Sequence, residues 1–294
     1  MLNKSPKVSV IIPTYQREEA LLNTLSDLVS LEYSPMEIII TDQTEKPSLK
    51  VLNFVNEHKN LIKYFRTNLK SSPAARNLAV KKANGELLIF VDDDVEIREK
   101  NFIKYHLENY ADPEVGLVGG RVLYDFKEKP PIKKEAGKLK FFGLKEITNF
   151  NSDERQEIDH AYGCNFSCLR KVYLEVGGFG EIYKGNAHME ETDFSLRVKR
   201  AGYKLVFDPK AILRHVRTSS GGNRINDIYE FRYWLIHNGA VFYLKNYPKV
   251  SFPLFFIDKF FWACTSSLKR RDKKMFKTMY SAIINGRNHY FEVK

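Results

Sequence analysis

The sequence predicts an α/β fold in which a mostly parallel sheet is flanked by helices. Short, continuously apolar runs alternate with segments of helical periodicity through the first half of the chain, which is typical of strands covered on both faces. Acidic residues follow directly after two of these runs, Asp42 after the second and Asp92 after the fourth. From residue 227 onward the pattern is helical and rich in aromatic residues, which indicates a helical C-terminal extension.

Four strands and three helices are predicted in the first half. The strands lie at 8–12, 37–41, 62–65 and 86–91, and the helices between them at 18–31, 49–58 and 72–83. Pro13 stops the first strand, and Ser72 is the predicted N-cap of the third helix with Pro73 at its first position. Because ligands bind beyond the carboxyl ends of parallel strands, Asp42 and Asp92 are expected at the ligand-binding edge.

The second half has a looser pattern. We predict strands at 115–118 and 203–207, strand-like stretches at 159–169 and 211–214, and helices at 171–176 and 190–201. Gly202 takes the position of a C-terminal helix stop. Residues 127–134 include two prolines and four lysines and are predicted to form an exposed loop.

The composition limits the classes of protein that the chain can belong to. Of 294 residues, 43% are hydrophobic and 28% are charged, which suits a packed core and excludes wholesale disorder. Three cysteines suit a reducing compartment rather than a disulfide framework. No apolar run reaches the 18 residues of a membrane span, and the first residues lack the apolar stretch of a signal peptide. We therefore expect a cytoplasmic protein.

The run Asp92-Asp93-Asp94 is the most informative feature of the sequence. Three adjacent carboxylates at a strand end repel one another unless something positive neutralises them. A hard divalent cation such as Mg²⁺ or Mn²⁺, held by one or two carboxylates and by phosphate oxygens, is the usual reason for such a run. A solvated acidic turn is the alternative interpretation.

Several ordered motifs lie between residues 7 and 217. They are an opening strand that ends in Pro13-Thr14-Tyr15, a second strand that ends in Asp42, an Ala-Arg-Asn helix start around Arg76, the apolar strand before Asp92-Asp93-Asp94, the run Gly163-Cys164-Asn165, a Gly-Gly-Phe turn at 177–179, and Glu190-Glu191-Thr192-Asp193. Each motif is weak alone, but their order and spacing together are specific. Together they resemble the family 2 glycosyltransferases, which have the Rossmann-like GT-A fold.

The resemblance implies an inverting, metal-dependent enzyme of surface polysaccharide or glycan synthesis. It would move a sugar from a nucleotide-sugar, expected to be a UDP-sugar, to a saccharide or a lipid-linked glycan. Its transferase domain would cover 1–217, with a nucleotide-binding half at about 1–120 and an acceptor half at about 121–217, followed by a basic helical region at 218–294. The resemblance also implies that the donor is contacted by Pro13, Thr14, Tyr15, Asp42, Arg76, Asp92, Asp93 and Asn165.

The same resemblance implies a metal site and a base. Asp94 is the expected direct ligand of Mn²⁺ or Mg²⁺, with Asp92 and His215 beside it; a half-buried strand histidine is the alternative for His215. The base that activates the acceptor hydroxyl is expected at Glu191, where the family has Asp, and Glu190 is the alternative. The other interpretation is that these acidic side chains only favour the positive end of a helix dipole.

The C-terminal region carries most of the net charge. From Arg214 to Lys294 there are 15 Lys+Arg and 5 Asp+Glu, in a chain whose formal net charge is +11. The aromatic stretches 229–247 and 252–262 precede a basic cluster at 269–274, which is typical of an interfacial helix on an anionic membrane. We therefore predict a peripheral contact with the inner face of the membrane. The alternatives are that the aromatic residues pack on the transferase core or form a homodimer interface.

Two other functions compete with an active transferase. A transferase-like module that binds nucleotide without catalysis would keep the same motifs, although its carboxylates would then have no catalytic task. A protein that binds nucleic acid through the basic region is the third hypothesis. The near-neutral body with its acidic cluster argues against it, so no nucleic-acid partner is expected.

Overall fold

The computed structural model describes residues 5–218, 221–222 and 224–293. The first half of the chain forms the predicted strands and helices. They are β1 (Val8–Thr14), α1 (Glu18–Val29), β2 (Met36–Asp42), α2 (Leu49–Glu57), β3 (Ile62–Arg66), α3 (Ser72–Lys82) and β4 (Leu87–Val91). Ser71, rather than the predicted Ser72, caps α3, because the Ser71 hydroxyl accepts the Ala74 N–H.

The second half adds seven strands and three helices before the C-terminal region. They are β5 (Val95–Glu96), α4 (Phe102–Glu108), β6 (Val115–Leu123), β7 (Lys138–Lys140), β8 (Lys145–Ile147), β9 (Gln156–Glu157), β10 (Asn165–Leu169), α5 (Arg170–Glu175), α6 (Glu190–Arg200) and β11 (Lys204–His215). The stretches predicted as two strands at 203–207 and 211–214 form the single strand β11, whose register shifts at Asp208/Ile212. The helix α4 and the hairpin β7–β8 were not predicted.

A mixed sheet organises the described part of the chain. Eight strands follow one another in the order β3-β2-β1-β4-β10-β6-β11-β5, and β9 pairs with β11. The six strands β1, β2, β3, β4, β6 and β11 run in the same direction, while β10 is antiparallel to both of its neighbours. The predicted mostly parallel α/β sheet is confirmed. The carboxyl ends of β1, β2, β4 and β11 therefore meet at one edge.

Three helices follow the sheet: α7 (Ile228–Asn246), α8 (Phe252–Arg270) and α9 (Lys273–Val293). They confirm the predicted helical extension. Their shared apolar core includes Tyr243 of α7, Phe255 of α8 and Met279 of α9. None of the helices in the described part of the chain has the length and hydropathy needed to cross a membrane.

The C-terminal helices also pack on the body that precedes them. Val241 and Phe242 of α7 and Tyr290 of α9 share an apolar cluster with Tyr183 and Met189, which precede α6. The predicted boundary at 217/218 thus lies between segments that bury side chains against each other. The division into a transferase domain at 1–217 and a basic helical region at 218–294 stays a prediction.

Candidate active site

A cleft of about 340 Å³ opens at the carboxyl edge of the sheet. Its walls come from the ends of β1 and β4, from the starts of α3 and α6, from the end of β11 and from the start of α7. Of the predicted site residues, the cleft brings together Pro13, Thr14, Tyr15, Arg76, Asp92, Asp93, Glu190, Glu191 and His215.

The three aspartates after β4 have different surroundings. Thr14 donates a hydrogen bond to Asp93 Oδ2 at 2.6 Å, and Arg17 Nη1 lies 2.9 Å from Asp93 Oδ1 and 3.1 Å from Asp94 Oδ2. Burial raises the pKa of Asp93 to about 7, although Arg17 and Thr14 oppose the shift. Arg17 therefore neutralises part of the negative charge of the three adjacent aspartates.

Asp94 is buried and accepts hydrogen bonds on both carboxylate oxygens. His215 Nε2 lies 3.1 Å from Oδ1, and the Thr218 N–H donates to Oδ2 at 3.1 Å. Burial disfavours the charged form, but the His215 hydrogen bond, the charges of His215 and Arg17 and the Thr218 N–H outweigh it and lower the pKa of Asp94 to about 2. Asp94 is therefore an anionic carboxylate held in a fixed position.

Asp92, Asp94 and His215 form a candidate metal centre. One ligand atom of each lies within 4.8 Å of the others, and no comparable group of His, Cys, Asp or Glu occurs elsewhere among the described residues. Asp92 Oδ2 lies 4.0 Å from His215 Nε2 and remains partly exposed to the cleft. Two carboxylates and an imidazole are a donor set that suits Mn²⁺, so the residues present fit a divalent cation.

Arg76 links the aspartates to the start of α6. Its buried guanidinium contacts Glu190 Oε1 at 2.6 Å, Asp92 Oδ1 at 3.1 Å and Glu191 Oε1 at 3.2 Å. It also donates to the carbonyl of Gly163 at 3.2 Å. Burial disfavours its charge, but Glu190, Glu191 and Asp92 together raise the pKa of Arg76 above its usual value. The side chain is therefore a permanent cation that fixes three carboxylates.

The two glutamates at the start of α6 differ in access to the cleft. The side chain of Glu190 is 3% exposed and that of Glu191 is 25% exposed. Burial raises the pKa of Glu190 well above its usual value, against the opposing charge of Arg76. Glu191 lies against the backbone of Gly163, where an added Cβ would be 1.9 Å from Glu191 Oε1. Of the two carboxylates, Glu191 has the greater access to a bound molecule.

The segment before α6 has an unusual backbone. Ala187 and Met189 have φ angles of 54° and 76°, in the left-handed region that non-glycine residues rarely adopt. Both side chains are buried in the cluster shared with α7. Such strain persists only where the surrounding packing holds it, and it is enriched at functional sites.

Asp193 anchors α6 to the C-terminal region. Its buried carboxylate accepts Lys245 Nζ at 2.7 Å and Asn246 Nδ2 at 2.8 Å, and Arg197 Nε lies 3.1 Å away. Lys245 and Asn246 end α7, so the end of one C-terminal helix is attached two residues beyond Glu191.

Two predicted donor contacts do not line the cleft. Both Asp42 oxygens are engaged, one by the Tyr64 hydroxyl at 2.5 Å and the other by the Thr44 N–H at 2.7 Å, and the residue borders a neighbouring pocket. Asn165 is fully buried in β10, where it donates to the carbonyls of Arg121 and Ala211. Asn165 therefore joins strands of the sheet interior, which corrects its expected place at the donor.

Sequence reasoning did not find several residues of the cleft. They are Arg17, Gln43, Ser72, Tyr162, Asn186, Gly222, Arg224, Ile225 and Phe231. Arg17 could have been found, because it is the nearest cation after the β1 end and three carboxylates required a counter-charge. Tyr162 and Phe231 carry no such local signal, since they reach the cleft through the packing of distant segments.

The fold is that of the GT-A glycosyltransferases. Solved structures with this fold include the mannosyltransferase PcManGT of Pyrobaculum calidifontis in complex with GDP-Man and Mn²⁺, with a TM-score of 0.61, 15% identity and coverage of 99% of this chain and 89% of that one. GalNAc-T7 with UDP, GalNAc and Mn²⁺ gives a TM-score of 0.59 and 18% identity over 81% of this chain and 50% of that one.

The chain belongs to glycosyl transferase family 2, whose model matches residues 9–177. Its curated relatives include the glucosyl-dolichyl phosphate glucuronosyltransferase of Haloferax volcanii, 25% identical over 71% of this chain and 69% of the relative. The O-antigen chain rhamnosyltransferase RfbN of Salmonella typhimurium is 27% identical over 71% and 66%. The GalNAc(5)-diNAcBac-PP-undecaprenol beta-1,3-glucosyltransferase of Campylobacter jejuni is 29% identical over 62% and 57%. The chain thus spans 57–69% of these relatives' lengths and is a glycosyltransferase of this family.

Proposed function

We propose that the protein transfers a sugar from a nucleotide-sugar, with a UDP-sugar as the expected donor, to a saccharide or lipid-linked glycan with inversion at the anomeric carbon. The observation that carries the proposal is the arrangement of Arg76, whose guanidinium contacts both Asp92 and Glu191 in the wall of the cleft. A donor diphosphate beside the aspartates would therefore have its sugar next to a carboxylate that can accept a proton.

The proposed base is Glu191. The acceptor oxygen would bond to the anomeric carbon as the bond from that carbon to the diphosphate oxygen breaks, and the hydroxyl proton would pass to the Glu191 carboxylate. Glu190 suits a different task, because it is buried and paired with Arg76. Its carboxylate would keep the Arg76 guanidinium in place while Glu191 remains accessible.

The proposed metal ligands are Asp94, Asp92 and His215. A bound Mn²⁺ or Mg²⁺ would neutralise the charge that develops on the diphosphate as it leaves. The hydrogen bond of Thr14 and the ion pair of Arg17 orient Asp93. Asp92 accepts Arg76 through Oδ1, so its Oδ2 is the oxygen that would meet the metal. Pro13, Thr14 and Tyr15 would border the nucleotide.

The proposed acceptor class rests on what the relatives act on. Two of their names contain a lipid-linked substrate, a glucosyl-dolichyl phosphate in one and a diNAcBac-PP-undecaprenol in the other. A lipid-linked glycan would be met at a membrane, so we place the protein at the inner, cytoplasmic face as a peripheral protein. We also propose a role in surface polysaccharide synthesis, which the O-antigen chain rhamnosyltransferase among the relatives supports.

The test begins with a thermal-shift screen of nucleotide-sugars with and without Mn²⁺, since a bound donor stabilises the folded state. The stabilising donor is then used to measure donor hydrolysis and transfer. Glu191→Gln should lower kcat by about 10²–10⁴-fold while the donor still shifts the unfolding midpoint. Glu57→Gln, an exposed glutamate of α2 far from the cleft, is the matched control and should leave kcat unchanged.

Two results would contradict the proposal. Full activity of Glu191→Gln would exclude this residue as the base. Donor binding without turnover on any acceptor would favour the nucleotide-binding module instead.

A further inference from the structure

One face of α8 is apolar and exposed to solvent. Leu254, Ile257, Phe261 and Leu268 are 49%, 51%, 63% and 76% exposed. Their spacing of three, four and seven residues puts them on one side of the helix, and we call them the α8 stripe. With a rise of about 1.5 Å per residue, the stripe is about 21 Å long.

The opposite face of α8 is packed, so the stripe is not the result of a loosely attached helix. Phe255 and Ala263 are buried in the core shared with α7 and α9, and Phe256 and Trp262 pack at its margin. The aromatic residues on this face thus pack with the other C-terminal helices, whereas the predicted alternative placed them on the transferase core. The stripe is the part of the amphipathic helix that no described residue covers.

The end of the stripe is strongly cationic. Five exposed cations follow it within six residues: Lys269, Arg270, Arg271, Lys273 and Lys274. Asp272, in their midst, is partly exposed and accepts the Tyr229 hydroxyl at 2.7 Å, so one carboxylate stands among five cations. Asp258, beside the stripe, is paired with Lys259 at 2.7 Å. The surface next to the stripe therefore complements an anionic partner.

We propose that the α8 stripe and these five cations dock on an anionic lipid bilayer. The helix would lie in the plane of the membrane, with the stripe at the boundary between headgroups and acyl chains and the cations at the lipid phosphates. An anionic bilayer supplies both an apolar interior for the stripe and phosphates for the cations. It is therefore a better match than a second copy of the chain, whose stripe is bordered by the same five cations.

The position of the surface relative to the cleft supports a lipid-linked acceptor, and this step rests on the proposed function. The hydrogen bond from Tyr229 to Asp272 attaches the start of α7 to the turn between α8 and α9. Arg232 lies over the ring of Trp262, with its Cζ 4.7 Å from the ring centroid. Phe231 lies between Tyr229 and Arg232 in the sequence, and its side chain lines the cleft. The docked membrane would therefore lie across α8 from the helix α7 that forms one wall of the cleft.

The test is co-sedimentation of the full chain with vesicles of phosphatidylcholine, with and without phosphatidylglycerol. We expect binding that requires the anionic lipid and weakens with salt. Phe261→Asp with Leu268→Asp, and separately Lys269→Gln with Arg270→Gln and Arg271→Gln, should each reduce binding at least about tenfold, since each removes one of the two contributions. Ile132→Asp, an exposed apolar residue on a distant loop, is the matched control and should bind like the wild type.

Several readouts keep the result interpretable. Thermal unfolding midpoints show whether each variant is folded, and hydrolysis of a water-soluble donor should be unchanged by the stripe variants. The proposal would be overturned if the variants bound vesicles as well as the wild type does. It would also be overturned if the wild type bound no vesicles and instead formed a dimer in analytical ultracentrifugation that Phe261→Asp dissociates. Vesicle binding without donor turnover would overturn the proposed function and leave the docking surface standing.

Discussion

Single residues control the distance between the proposed base and the rest of the site. Arg76 contacts Glu191 from one side, and the backbone of Gly163 approaches it so closely that no side chain fits between them. Gly163 also supplies the carbonyl that accepts a hydrogen bond from Arg76. The close approach of the Gly163 backbone to the Glu191 carboxylate therefore explains why glycine occupies this position. A substitution of Gly163 tests the position of the carboxylate without removing the carboxylate itself.

Gly163→Ala is expected to displace the Glu191 carboxylate, because the new methyl group would lie 1.9 Å from Glu191 Oε1. A displacement of about 1 Å at a reacting group costs about 10²-fold in rate, so kcat should fall by that order while the donor-induced thermal shift remains. Steady-state kinetics and thermal shift measure the two effects. The control is Gly239→Ala in α7, where the added Cβ would make only ordinary contacts of 3.5 Å with Phe255. An unchanged kcat for Gly163→Ala would show that Glu191 does not need this position.

At the scale of elements, α6 depends on α7. The buried carboxylate of Asp193 receives Lys245 and Asn246 from the end of α7, and Asn246 in turn accepts a hydrogen bond from Arg200 at 2.8 Å. The C-terminal region thus holds both ends of the helix whose second residue is the proposed base. The basic charge of the C-terminal region predicted a contact with a membrane. The packing of this region on the body also positions the helix α6.

Asn246→Ala is expected to reduce stability and kcat together. It leaves Asp193 with one hydrogen bond fewer in a buried position, which costs about 1–3 kcal/mol, and it loosens the attachment of α6. Urea unfolding and kcat with a soluble donor measure the two effects. Asn285→Ala on α9, which removes only an exposed hydrogen bond to Tyr233, should change neither. A loss of stability with an unchanged kcat would limit the role of Asn246 to folding.

The sequence predicted the elements that are defined by local patterns. The strands β1, β2 and β4 are built on apolar runs, and the acidic residues Asp42 and Asp92 at the ends of two of them predicted the edge at which the cleft opens. The helix α4 and the hairpin β7–β8 were missed, because neither has a strong local periodicity. Asn165 was misplaced because a motif tells which residue type occurs but not which way it faces; within β10 its side chain points between strands. Phe231 could not have been found, since it reaches the cleft only when α7 packs on the body.

At the scale of the whole molecule, the two ends of the sheet have different tasks. The aspartates, Arg76 and Glu191 lie at the carboxyl edge. Repulsion between the buried carboxylates there lowers the stability of the fold. Glu37 lies near the opposite end of the sheet and is buried. It accepts hydrogen bonds from Ser9 and from the N–H of Asn84, both at 2.6 Å, and pairs with Lys63 at 2.7 Å. These contacts connect β1, β2, β3 and the turn before β4.

Glu37→Gln is therefore expected to weaken the fold without affecting catalysis. Burial disfavours the Glu37 charge, but Lys63, Ser9 and the Asn84 N–H outweigh it and lower the pKa of Glu37 from 4.5 to about 2. Because the folded pKa is depressed, the contribution is fully present above pH 4.5 and is lost as the pH falls toward 2. A shift of this size corresponds to about 3 kcal/mol at neutral pH. Urea unfolding of both proteins between pH 7 and pH 3 should show a difference in unfolding free energy that narrows below pH 4.5. A difference that stays constant over this range would mean that Glu37 stabilises the sheet by packing and not by its charge.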